Sequence, residues 1–238
     1  MSMYIILIIV GFIAGFFSGS VGFGGGMILL PVITYFYGVT IAVPVSTIAQ
    51  LLSNLSRAGF GFKDIHWKEV GLFLILAAPL TALGAYGFVI VPKQLMTRIL
   101  CFFLIFFSIM KLVGRMELPR SKSTVLIGGG ITGLTNGLLG ISGPISSAVF
   151  MTFGLSPVAY IASEATAASV MHIIKTFMYG KMNLMDEHIF LNGVFIGIAM
   201  MAGNFFALKF IRHVNKKRYQ KVVAGVMILV SLWLMVTI

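Results

Sequence analysis

The sequence predicts an all-α polytopic membrane protein built from two inverted-topology repeats of about five hydrophobic segments each, with glycine-rich interrupted helices. Three observations carry this. The 238 residues are 59% hydrophobic and 10% charged, with a mean hydropathy of +1.05, too apolar for a water-facing surface in any compact fold. Apolar runs such as 70–91 are continuous, not alternating, so helices and not a barrel must satisfy the backbone in lipid. Finally, residues recur at an offset of 118, which divides the chain into a first repeat over 1–117 and a second over 118–238.

The recurrence is detailed. Gly11, Gly15, Gly19 and Gly22 find counterparts at Gly129, Gly133, Gly137 and Gly140. Gly25 aligns with Gly143, Asn54 with His172, Arg57 with Lys175, Lys63 with Lys181 and Glu69 with Glu187. A four-glycine register joined to aligned cations inside apolar segments is hard to reach by chance. Each half divides into five apolar pieces: 4–20, 24–38, 43–61, 69–91 and 94–112, then 123–140, 144–155, 158–179, 188–210 and 219–237. The first two of each half are short against the roughly 20 residues of a span. They read either as tilted or broken spans or as two half-helices meeting at a glycine-rich tip, and both readings give each half an odd number of crossings.

Odd parity sorts the loop charges. One side carries Lys63, Lys68, Lys111, Arg115, Arg120, Lys122, Lys209, Arg212, Lys216, Lys217, Arg218 and Lys221, while the other carries only Lys93, Arg98 and Lys181. The positive-inside rule then makes the first side cytoplasmic and puts both termini outside a bacterial inner membrane. The first segment, with no basic residues before it and no small-residue cleavage site after it, reads as retained and not as a signal peptide. The net charge of +11, including the basic stretch 216–221, is read as topology and contact with anionic headgroups, with no nucleic acid expected. The single cysteine, Cys101, permits no intramolecular disulfide or thiolate cluster. The four scattered histidines support no metal site, and no phosphate-binding loop or other cofactor signature occurs. Oligomeric state leaves no mark in one sequence; a homodimer stays open.

The glycines suggest where function lies. Gly11, Gly15 and Gly19 line one helix face and let a neighbouring backbone approach. The stretch 20–26 differs, because consecutive glycines weaken a helix by about 1 kcal/mol each relative to alanine and are not expected to gain from packing. Ser20, Gly24, Gly25 and Gly26 therefore suit a loop whose amides face a ligand, followed by a helix whose N-terminus favours an anion. In the counterpart stretch, Pro144 suits a first helical position and Ser142 and Gly143 precede it, so two helix N-termini are expected to face each other. Asn136, in the glycine run before it, joins the candidates.

Two polar stripes run through apolar segments. Thr47, Gln50, Asn54 and Arg57 share one helix face, and Glu164, Ala168, His172 and Lys175 share another. Polar groups inside membrane helices usually face a protein interior or a water-filled cavity. Asn54 and His172, near mid-span, are expected to hydrogen-bond a substrate. Arg57 and Lys175, near opposite ends, read equally as snorkelling cations or as anion gates. Glu164 reads first as a cap on its helix dipole and second, with His172, as a proton relay.

The stretches GFFSGSVGFGGGMILLPVI and GLTNGLLGISGPISSAVF resemble those of the sulfite exporter TauE/SafE family, and the resemblance covers essentially the whole chain. It implies a small bacterial inner-membrane protein of two duplicated halves that exports anions such as sulfite or sulfonates. Ser142-Gly143-Pro144 departs from the glycine triplet of the first half. The combined expectation is a secondary transporter, not an enzyme, that exports a small (organo)sulfur oxyanion by alternating access, with membrane lipids as its other partners. The alternatives are a passive anion channel, a scaffold without substrate, and a rhomboid-like intramembrane serine protease. The last is suggested by Gly140-Ile141-Ser142-Gly143 with His172 and opposed by the absence of serine in the counterpart loop.

Overall fold

A computed structural model of the chain describes residues 2–113, 118–141 and 143–210, with 228 and 232 singly. Ser142, the last apolar segment 219–237 and the cations Arg115, Arg212 and those of 216–221 lie outside the described residues. The elements are α1 (Ser2–Val21), α2 (Gly25–Phe60), a 3₁₀ turn (Phe62–Asp64), α3 (Trp67–Ile90), α4 (Lys93–Val113), α5 (Lys122–Leu139), α6 (Gly143–Met151), α7 (Pro157–Lys181) and α8 (Glu187–Phe210). No strand occurs among the described residues. Five of these helices, α1, α2, α3, α4 and α8, are long and apolar enough to cross a membrane. At 25 residues, α7 has the length but carries the second polar stripe.

Helix α2 runs for 36 residues but breaks at Gly38, whose φ of 73° and ψ of 163° leave the helical region. A residue with a Cβ rarely adopts that conformation. The first part, 25–37, and α6 occupy matching places in the two halves. With nine residues, α6 is about 14 Å long, well short of the roughly 30 Å hydrocarbon layer. Only the second segment of each half is therefore half-length. The first segments, expected to be short as well, form helices of 20 and 18 residues.

Helix α1 lies along α8 and α3 along α5, while α2 packs on both α8 and α7, and α3 also on α7. Exchanging α1 with α5, α2 with α6 and α7, and α3 with α8 maps these pairings onto themselves. The glycine stripes make the contacts close. A Cβ on Gly15 would strike the backbone of Met200, and one on Gly133 the backbone of Ala77. Outer faces are apolar, with Ile75, Phe102 and Phe195 exposed as lipid-facing side chains are. One polar knot ties α1, α2 and α8: Asn204 Nδ2 donates to the Ser53 carbonyl at 3.0 Å and to Ser56 Oγ at 2.8 Å, while Ser18 Oγ donates to Asn204 Oδ1 at 3.1 Å.

Candidate functional site

The chain leaves α1 through Gly22 and Gly24, with φ of 91° and 97°, so the turn into α2 uses conformations that glycine alone adopts without strain. Gly24 is the N-cap of α2 and offers no side chain. The Ile28 N–H donates to the Gly24 carbonyl at 3.2 Å and closes the first turn, leaving the earlier amides without intrahelical acceptors. The start of α6 abuts this turn. A methyl added to Gly143 would stand 3.2 Å from Phe23 Cβ and 3.3 Å from the Gly24 nitrogen. Two helix N-termini thus meet in the interior.

Beside them lies a cavity of about 30 Å³, a volume on the scale of one or two waters. The α1–α2 turn contributes Gly24, Gly25 and Gly26, and α2 contributes Gln50, Asn54 and Arg57. Gly143 borders it, as do Glu164 and His172 from α7. The two polar stripes therefore converge on one space. Residues that the sequence analysis did not single out also line it, among them Ser18, Ser53 and Met200. Ser53 and Ser18 belong to the knot around Asn204, a lone amide in an apolar run, and that was the signal available.

Arg57 is 5% exposed and its guanidinium stays inside the protein. It donates to the Asn54 side-chain oxygen and to the Gly22 carbonyl, and Nη2 lies 3.4 Å from Glu164 Oε2. The snorkelling reading fails for Arg57 because these acceptors hold it in the interior. The cap reading fails for Glu164 as well. Ser156 caps α7 by accepting from the Ala159 N–H, and Glu164, two turns further on, accepts from Ser146 Oγ at 2.7 Å while facing Arg57. Gln50 Nε2 donates to the Gly140 carbonyl at 3.2 Å, joining α2 to the start of the second glycine loop. His172 is 1% exposed, and its Nδ1 has no hydrogen-bond partner among the described residues.

Other candidates lie elsewhere. Ser20 sits in the last turn of α1, donates to the Phe16 carbonyl at 2.7 Å and borders a separate cavity beside Tyr160. Asn136 is fully buried on α5, outside the lining. Lys175 is fully buried one turn beyond His172, also outside it. Thr47 turns its hydroxyl to the Val43 carbonyl at 2.8 Å. The glycines also do more than free amides: Gly25 is pressed between Met200 and Ser18, and Gly26 against the Gln50 amide, so close packing explains part of the triplet. No group of three or more metal-ligating side chains occurs among the described residues.

A multi-pass helical protein with charged residues buried around an interior cavity has the features expected of a membrane transporter. The family model for the sulfite exporter TauE/SafE family matches residues 7–234, and the chain belongs to that family of membrane transporters. A probable membrane transporter protein, YunE of Bacillus subtilis (strain 168), is similar, with 28% identity over 94 residues, 35% of this chain and 34% of that protein. The chain thus spans about a third of the length of this relative. No solved structure matches.

Proposed function

We propose that the protein is a secondary transporter that exports a small (organo)sulfur oxyanion, such as sulfite or a sulfonate, across the bacterial inner membrane by alternating access. The observation that carries this reading is the convergence of two helix N-termini, Arg57, Asn54 and His172 on one cavity. Helix N-termini favour an anion, and the side chains of Asn54 and His172 supply hydrogen bonds from α2 and α7. Exchange symmetry in the helix pairing supports inverted repeats rocking about the site, and the cation asymmetry supports a cytoplasmic face at Lys63 and Lys122. Outward movement of one negative charge is favoured by about 2.3 kcal/mol per 100 mV of inside-negative potential, so export requires no partner ion.

The test is sulfite flux in proteoliposomes under an imposed potential, with sulfate, thiosulfate and methanesulfonate as competitors. Saturable, potential-driven flux with counterflow is expected, and it should disappear in the Asn54→Ala/His172→Ala double variant. Unsaturable flux would point to a channel. Unchanged flux in the double variant would remove Asn54 and His172 from the site.

A further inference from the structure

Arg57 and Lys175 stand 118 residues apart at matching places on α2 and α7, yet their surroundings treat them differently. Arg57 has three partners: it donates to the Asn54 side chain and the Gly22 carbonyl, and its Nη2 lies 3.4 Å from the Glu164 carboxylate. Each partner has a counterpart at the same offset, and none of the counterparts serves Lys175. Where Asn54 has its amide oxygen, His172 presents an imidazole. The carbonyl of Gly140, counterpart of Gly22, is taken by the Gln50 amide at 3.2 Å. Ser46 occupies the place of Glu164, and its hydroxyl donates to the Val43 carbonyl at 3.1 Å.

Lys175 is left 0% exposed, and its Nζ has no hydrogen-bond partner among the described residues. The Tyr179 ring lies 5.8 Å from it, with the Tyr179 hydroxyl committed to the Gly137 carbonyl at 2.9 Å. Arg57 and Lys175 are the buried cations among the described residues, and Glu164 compensates the first. A charged Lys175 therefore has no compensating partner among the described residues, in an interior where an isolated ammonium is costly.

We infer that the transported anion is the missing partner of Lys175, paired with it in the part of the cycle when the cavity extends one turn along α7 past His172. The inference rests on the anion-carrier reading and sharpens it. With a single uncompensated cation, the site neutralises one negative charge, so the ligand class is a monoanionic oxyanion, such as hydrogensulfite or a sulfonate, in preference to the sulfate dianion.

The experiment is thermal unfolding of the purified full chain in detergent, titrated with methanesulfonate, sulfite or sulfate, for wild type, Lys175→Gln, Ser46→Glu and Ser46→Gln. In wild type, methanesulfonate should raise Tm saturably and sulfate should raise it less. Without ligand, Lys175→Gln and Ser46→Glu should unfold at higher temperature than wild type, because the first removes the stranded charge and the second supplies a carboxylate. Both should bind methanesulfonate about tenfold or more weakly, whereas Ser46→Gln, equal in size but neutral, should keep wild-type binding. Wild-type protection that persists in Lys175→Gln overturns the inference alone. A wild type protected by none of the three anions overturns the anion-carrier reading and this inference with it. Sulfate protecting better than methanesulfonate overturns the monoanion assignment. If Ser46→Glu fails to fold, Lys175→Gln decides.

Discussion

Arg57 on α2 and Glu164 on α7 form a buried ion pair between the two helices, Nη2 to Oε2 at 3.4 Å, with side chains 6% and 2% exposed. Such a pair is weak evidence of stability in itself, but breaking it strands a charge. Glu164→Gln should therefore destabilise the protein by about 3–5 kcal/mol. Arg57→Met/Glu164→Gln should be less destabilised than the sum of its single variants, because neither charge is then left alone. Reversible unfolding of the three variants checks this; strict additivity would mean that the pair does not couple the two helices.

The glycines divide by what surrounds them. A Cβ on Gly15 would run into the Met200 backbone, which cannot step aside without moving α8, so Gly15→Ala should cost about 1–3 kcal/mol. Gly71, within α3, has nothing within 4 Å of where its Cβ would be. Gly71→Ala should therefore be neutral or stabilising by up to about 1 kcal/mol. Paired thermal melts distinguish the two, and equal effects would contradict the close α1–α8 approach.

Gly26 is a third case, because its Cβ would meet the movable end of Gln50. Gly26→Ala should fold normally yet push aside the amide that donates to Gly140. The loss of one neutral hydrogen bond at the site should reduce transport by about two- to tenfold. Flux assays against unchanged Tm read this out, and Gln50→Leu should show a similar deficit.

Single cysteines report the orientation. Cys101 is fully buried, so the unmodified background should label poorly. Replacing Lys63 or Lys122, both exposed, should give thiols reactive from the cytoplasmic side only, whereas Lys181→Cys should react from outside. Labelling of intact cells with an impermeant maleimide decides, and reaction of all three from one side would overturn the inverted arrangement.

The helices and their polar stripes were legible in the sequence because lipid imposes length and burial imposes a helical period. Gln50, Asn54, Arg57, Glu164 and His172 were found from that period and border one cavity. Glu164 was read as a cap on the dipole of its own helix, but the packing of α7 on α2 brings Arg57 to it. Spacing along one helix carries no information about a partner on another. Ser20 was chosen for its closeness to the glycines in sequence, whereas the helical rotation of α1 aims it at Tyr160 and aims Ser18 at the cavity. The value of the glycine triplet to packing was missed for the same reason: Met200 and Gln50 arrive from elements far along the chain.

The clasp of α1 by α8 bears on biosynthesis. The first helix emerges from the ribosome with its glycine face bare, and the residues that cover that face follow about 185 positions later, an interval of roughly 9–37 s at ordinary elongation rates. During that interval the glycine face has no native neighbour among the described residues except the adjoining α2. The two halves are not successive folding units: α3 and α5 join across the midpoint, and the fold closes only when α8 returns to α1.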